Sequence, residues 1–508
     1  MRTLYRASIV HTFSLPPAGE WLLVDERHIQ RVGVGDPPDA DRIVELPGAT
    51  ILPGFVDTHV HLTGSGIASA HPEVARTRSA AALLEVLRTI VDREPGAILV
   101  HGFDESTWPG SASGVRVPTV AELDEVSSDP LVVVRVDGHL SIGNRAALEP
   151  SGALEEQGVD RDAADAPTGV LTRRANERLK RWLASTLSEH RIQQLQLSAA
   201  ATAASRGVTS VHEMSLPAER GLRDLEVLLA HRSNLPVDVV TYLGTLDVAQ
   251  AIELGLPRVG GDLPVDGSLG AHTAALSAPY EDRPGEYGVL YHDDEGLTRF
   301  FRAGHAAGLQ VGVHAIGDRG IEQVLAGWER VYQGLDSRER RHFRARRHRV
   351  EHFEMATAVH VERAAMLGLA ISFQPAFDTA WGMPGGLYEQ RLGALRTRPM
   401  NPFRSCLERG IELGVGSDAP ITPLDPMASI VGLERHHDRE QRLTRAQALH
   451  LSTYGGARLA RQDSKKGYLE PGMHADFVAF DVDPATEPDL DEVRPILTVS
   501  LGREVFAS

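Results

Sequence analysis

The sequence predicts an α/β chain centred on a TIM-type (β/α)8 barrel, with a small β domain assembled from both ends and one large insertion. Three observations carry this reading. Eight short apolar runs, each ending in polar residues, alternate with helical stretches through the middle of the chain. Both termini consist of short strand-like runs broken by turns. The alternation lapses between about residues 65 and 200, too long a stretch for one crossover.

Residues 1–53 read as the strands TLYRASIVHTF, EWLLVDERHIQRVGVG and RIVELPGATILPG, and residues 466–508 add KGYLEPGMHADFVAFD and ILTVSLGREVFAS. Neither end buries a core alone, because short β segments need partner strands, so one β-sandwich built from both is the economical arrangement. The barrel occupies 54–465. Its strands are expected at 55–62, 208–214, 237–243, 262–269, 311–318, 349–354, 370–375 and 413–420, with helical stretches such as LTRFFRAGHAAG between them. In such a barrel the active site lies at the carboxyl ends of the strands, where the polar residues of these runs fall. The insertion carries strand signals of its own, ILVHGFDES and LVVVRVDGHLS, and follows strand 1, where it roofs the barrel mouth.

Composition narrows the function. Of 508 residues, 42% are hydrophobic and 24% charged, the balance of a globular protein. A net charge of −17 argues against nucleic-acid and anionic-membrane partners, which need clustered basic residues. The basic run 337–349 reads as a solvated face. The single cysteine, Cys406, excludes an internal disulfide framework and a cysteine-rich zinc site, and fits a reducing cytoplasm. No signal peptide is evident at the N-terminus and no run reaches the ~18 apolar residues of a membrane span. The expectation is a soluble cytoplasmic protein acting on a small molecule, with a homodimer as the other partner considered.

His59 and His61 alternate along an extended segment, so both imidazoles point to one side and can grip one divalent ion. Alone, the pair is a weak signal. It gains weight from His212, Asp266, His314, His352 and Asp418, each ending a predicted strand.

Together FVDTHVHL, TSVHE, DGSLGAHTAAL, HAIGD, RVEH, GVGSDAP and LEPGMHADFVAFD, with HGFDESTWPG and RVDGH in the insertion, resemble the amidohydrolase superfamily, in its YtcJ-like, amidohydrolase family 3 branch. The resemblance implies a distorted TIM barrel with a terminal β-sandwich. It gives metal-site roles to His59, His61, His314, His352 and Asp418. In one-metal members the strand-1 histidines, the strand-5 histidine and the strand-8 aspartate bind the ion, and the strand-6 histidine polarises the substrate. In two-metal members a carboxylated lysine commonly bridges the ions. Here Asp262 stands where relatives usually have that lysine, and Lys180, Lys465 and Lys466 are the only lysines. One ion, zinc first, is therefore favoured over two, with His352 and Asp262 as second-metal ligands in the alternative.

The expected chemistry is hydrolysis of a carbon–nitrogen bond other than a peptide bond, in an N-acyl, N-formyl or cyclic amide. A metal-activated water attacks, and Asp418 is general base and then acid. His352 assists as the second catalytic residue. A deaminase or a metal-dependent decarboxylase is the alternative on the same barrel, and a degenerate ligand-binding barrel is the third reading. Substrate contacts are expected from His139, His212 and Asp266, against structural roles for each. Trp108 and Trp381 either line an apolar acyl or aryl pocket or pack in the core.

Overall fold

The computed structural model describes residues 1–15, 17–94, 96–109 and 116–508. Gly110, the last residue of HGFDESTWPG, lies outside them. Four strands open the chain: Arg2–His11 (β1), Ala18–Asp25 (β2), His28–Gly33 (β3) and Arg42–Pro53 (β4). Phe55–Val60 (β5) follows directly and is buried at all six positions, as expected of a strand covered on both faces.

Between β5 and the next core strand the chain builds a separate mixed sheet. Its strands are Ile98–Phe103 (β6), Leu131–Arg135 (β7), Leu140–Gly143 (β8), Val159–Arg161 (β9) and Pro167–Thr172 (β10), in the order β6-β7-β8-β10-β9. One apolar cluster of this insertion packs Leu83, Leu87, Val100, Phe103 and Trp108. The insertion is tied to the core by polar contacts as well. Lys180 Nζ donates to Gly138 O at 2.8 Å and pairs with Glu219 at 2.5 Å. Gln196 on the helix Glu189–Ser205 donates to Thr63 Oγ1 and Asp224 O.

The parallel core resumes with Val208–Ser215 (β11), Asp238–Leu243 (β12), Arg258–Val259 (β13), Gln310–Ala315 (β14), Arg349–His352 (β15), Ala370–Phe373 (β16) and Glu412–Val415 (β17). With β5 these make eight parallel strands among the described residues, in two sheets, β12-β11-β5 and β13-β14-β15-β16-β17. The ladders do not run continuously around a barrel. Single links join the seams: Val60 bridges Ala419 in parallel, and Gly260 N donates to Leu243 O at 2.7 Å.

Helices cover the outer face of this core. Asp318–Gln333 presents Ile321, Val324, Leu325, Trp328 and Val331 at helical spacing. Trp328 stacks on Phe301 with ring centroids 4.2 Å apart. Burying each such side chain contributes about 1.5–3 kcal/mol.

Phe477–Phe480 (β18), Pro495–Ser500 (β19) and Arg503–Ala507 (β20) close the chain, and β18 pairs antiparallel with β4. Both termini therefore share one sheet, in the order β20-β19-β18-β4-β1-β2-β3. The sandwich expected from the sequence is a single hydrogen-bonded sheet, because β4 pairs with strands from both ends at once. The fourth core strand also departs from expectation. Arg258–Val259 forms the strand itself, while 262–269 adds a single parallel bridge, Pro264 to His314, with Val265 N donating to His314 O and His314 N donating to Leu263 O. Gly260 and Gly261, between the two paired segments, have φ of 82° and 64° and interrupt the strand. Among the described residues no helix is long and apolar enough to cross a membrane.

Candidate active site

His59 and His61 lie at the carboxyl end of β5, one residue apart, so the pleat sends both imidazoles to the same side. His59 Nδ1 donates to Glu351 Oε2 at 3.0 Å, and His61 Nδ1 donates to Met214 O at 2.9 Å. With both Nδ1 atoms engaged, both Nε2 lone pairs face inward. His59 Nε2 lies 3.4 Å from Asp418 Oδ1 and 3.6 Å from Asp262 Oδ1. His61 Nε2 lies 3.2 Å from Asp418 Oδ1 and 3.5 Å from Asp262 Oδ2. Asp57 holds the two segments together by accepting from His59 N and Ser417 N.

The other members come from β14, β15 and the turn after β17. His314 Nε2 donates to Gly267 O at 3.3 Å, which leaves Nδ1 facing Asp262 Oδ1 at 3.2 Å. His352 Nε2 meets the same oxygen at 3.2 Å. His352, Phe353 and Asp418 have φ of 70°, 55° and 53°. Side-chain-bearing residues are strained in this region, by about 1–3 kcal/mol each. Phe353 N donating to Ala315 O and Asp418 N donating to His59 O hold the strained segments in place.

The arrangement fits a divalent cation. The ligand atoms of His59, His61 and Asp418 lie within 4.8 Å of one another, as do those of His59, Asp262 and His352. His59 Nε2 and Asp418 Oδ1 are buried without a hydrogen-bond partner. Burial disfavours a charged imidazole at His59, yet Asp418 and Asp262 hold its pKa well above the usual range. His61 rises to about 10 against the same burial, through the carboxylates of Asp262 and Asp418 beside it. Asp262 and Asp418 are held below the ordinary carboxylate range against burial, with His59 the main cause for both. Such protons are what a bound cation displaces.

The cluster floors a pocket. His139 lines it, with its ring 5.6 Å from that of His314, and burial pushes its pKa down to about 4, leaving it neutral. Trp381 lines the pocket beside Phe377, and its Nε1 donates to Asp104 Oδ2.

Three expected substrate contacts fall elsewhere. His212 is fully buried away from the pocket wall, with Nδ1 accepting from Arg349 Nη1 at 2.9 Å. Asp266 is 0% exposed and accepts from the backbone N–H groups of Ala275, Ile316 and Gly317, which makes it a loop brace. Trp108 is buried in the insertion, where Nε1 donates to Thr77 O, so packing is its role. A strand-end position cannot distinguish these sides from sequence alone.

Several residues of the site were not singled out from the sequence. Arg349 clamps Glu351 at 2.7 Å and also bonds Tyr242 Oη and Thr58 O. The signal was available: two ionisable side chains in a strand as apolar-flanked as RVEH must pair if buried. Glu354 lines the pocket with Oε2 unpartnered, and burial raises its carboxyl to about 7. Arg135, 1% exposed, pairs with Asp104, Glu105 and Asp137 in the pocket wall.

The chain is similar to known proteins over most of its length. The chain is 28% identical over 488 residues to the putative amidohydrolase YtcJ of Bacillus subtilis (strain 168), covering 88% of this chain and 86% of that one. It is 24% identical over 489 residues to the N-substituted formamide deformylase of Arthrobacter pascens, again covering 88% and 86%. Among solved structures, an uncharacterized metal-dependent hydrolase from Pyrococcus horikoshii OT3 superposes with a TM-score of 0.74 at 26% identity, over 96% of this chain and 99% of that one. The model of the amidohydrolase family matches residues 42–506, nearly the whole chain, and the protein belongs to that family.

Proposed function

We propose that this enzyme is a divalent-metal-dependent hydrolase that cleaves a carbon–nitrogen bond in a small N-formyl, N-acyl or cyclic amide. The observation that carries the reading is the grouping of His59 with His61 and Asp418 and with Asp262 and His352, beneath a pocket that His61, His314, His352 and Asp418 line. The formamide deformylase likeness supports the amide class. The eight parallel strands are read as a distorted TIM barrel over 54–465, supported by the links at both seams. The insertion at about 65–200 forms part of its mouth, and 1–53 with 466–508 form the terminal domain.

His59, His61, His314 and Asp418 would hold the cation, zinc being suited to imidazole and carboxylate together. When bound, the cation polarises a carbonyl and lowers the pKa of a water toward ~7. Asp418 accepts a proton from the attacking water and delivers it to the departing nitrogen, one carboxylate serving both steps. His352 orients the carbonyl from the opposite side of the cluster. His139, neutral and facing the pocket, donates a hydrogen bond to the carbonyl oxygen as negative charge gathers there. Phe377, Trp381 and Leu387 form an apolar wall for the acyl or amine substituent.

Metal analysis of the purified enzyme, with an assay of carboxylate or formate release from N-formyl, N-acyl and cyclic amides, tests the reading. The expected result is bound divalent metal and release from at least one class. Protein that never binds a divalent ion through His59 and His61 overturns it.

A further inference from the structure

We propose that Asp378, His436 and His437 form a separate metal site, which holds a divalent ion of the zinc type behind the pocket wall rather than in the pocket. Asp378 opens the π-helical turn Asp378–Gly382 after β16, and the two histidines follow the helix Pro426–Arg435. Asp378 and His436 are 0% exposed, and the His437 side chain is 8% exposed. One ligand atom from each lies within 4.8 Å of the others. None of the three lines the catalytic pocket. Their hydrogen bonds and ion pairs run among themselves, to Asn401 and to backbone groups. The inference therefore stands apart from the hydrolase reading.

Three observations point to a cation here. His436 Nε2 lies 3.4 Å from Asp378 Oδ1, fully buried, and finds no hydrogen-bond partner among the described residues. A buried polar atom left in this state is costly. The imidazoles are also turned as ligands are. His437 Nε2 donates to Thr397 O at 3.1 Å and to Arg398 O at 3.2 Å, so Nδ1 is the nitrogen that faces Asp378 Oδ1, at 2.5 Å. His436 Nδ1 is taken up by the backbone of Asp438, 3.1 Å from its oxygen and 2.9 Å from its nitrogen, which leaves Nε2 to face the carboxylate. Backbone carbonyls hold the far nitrogen of metal-binding histidines in the same way. Finally, there is space. A Cβ on Gly382 would lie 2.7 Å from Asp378 Oδ1 and 3.2 Å from His437 Nδ1, so the absent side chain leaves a position beside both donors.

Two imidazoles and a carboxylate suit zinc. Asp378 also accepts from His437 N through Oδ2 at 2.8 Å and from Asn401 Nδ2 through Oδ1 at 3.3 Å. Turned over, the Asn401 amide offers its oxygen as a fourth ligand. Before the ion binds, a proton between His437 Nδ1 and Asp378 Oδ1 holds the pair, and the cation displaces it. The site bears on the pocket through its neighbours. Phe377, which precedes Asp378, stacks on His352 with ring centroids 6.0 Å apart, and Trp381 in the same turn lines the pocket. An ion at Asp378 thus braces the apolar wall and takes no part in the chemistry.

The test is to strip the full chain with chelator, reload it with Zn²⁺, count zinc in solution and locate it by anomalous scattering at the zinc edge. An anomalous peak among Asp378, His436 and His437, together with one zinc fewer per chain in His436→Gln, is the expected result. No peak there in the reloaded wild type, or an unchanged zinc count in His436→Gln, overturns the proposal. Should His436→Gln fail to fold, the wild-type anomalous map decides alone. A peak confined to His59 and His61 removes this site and leaves the hydrolase reading, a peak confined to Asp378 does the opposite, and failure to bind any ion removes both.

Discussion

Glu351 Oε2 accepts a hydrogen bond from His59 Nδ1 at 3.0 Å, and this carboxylate is itself clamped by Arg349 Nη2 at 2.7 Å. All three side chains are fully buried, so the orientation of the His59 imidazole depends on the Arg349–Glu351 charge pair. Glu351→Gln, which keeps the shape, should weaken metal affinity about 10–100-fold. Chelator competition measures it. Glu351→Ala leaves Arg349 uncompensated and should cost about 3–5 kcal/mol in urea unfolding. Unchanged affinity in the Gln variant would refute the positioning role.

Asp418 is assigned both cation binding and proton transfer. Asp418→Asn should lower kcat by about 10²–10⁴-fold, with a weaker hold on the metal. A variant restored to wild-type turnover simply by adding excess metal would show that the carboxylate binds the ion and moves no proton.

The two tryptophans expected in the pocket now separate. Trp381→Phe should change KM for substrates with bulky substituents while leaving stability within about 1.5 kcal/mol, as for other near-isosteric core swaps. Trp108→Ala should cost about 3–5 kcal/mol of stability with little change in kcat per folded molecule. Equal KM effects from both would contradict the placement of Trp108 in the insertion core.

His101 is buried, and desolvation together with Arg220 and Lys180 pushes its pKa down to about 3. Below its unfolded pKa of ~6.5 the unfolded chain takes up a proton that the folded chain refuses, so stability falls as pH drops from there toward 3. The slope from this one group approaches about 1.4 kcal/mol per pH unit. His101→Leu should flatten the acid limb of a stability–pH curve. An unaltered slope would assign that limb to other titrating groups, the carboxylates held below their usual range among them.

The eight-strand rhythm was legible because short apolar-rich runs such as QVGVHA and FVDTHV, each buried at all six positions, alternate with helical stretches. The fourth strand, expected at 262–269, is reduced there to one bridge to β14, because Gly260 and Gly261 interrupt the strand that Arg258–Val259 begins. The five positions proposed for the metal site were singled out by motif order. Their partners were not, since Glu351 belongs to the site through a contact across 292 residues of chain. His212 and Asp266 show the same limit: spacing places a residue at a strand end but not on a particular face.

The sheet shared by both termini also constrains how the protein is made. β4 gains β1 as a neighbour early, but its other neighbour, β18, begins at Phe477. At about 5–20 residues per second, translation leaves that second edge of β4 bare for roughly 20–80 s. During that interval the nascent chain carries an open strand edge, including the apolar run Ile51–Leu52, which invites pairing with neighbouring chains. Yield in a heterologous host should thus depend on elongation rate and holdase supply more than on the stability of the finished fold.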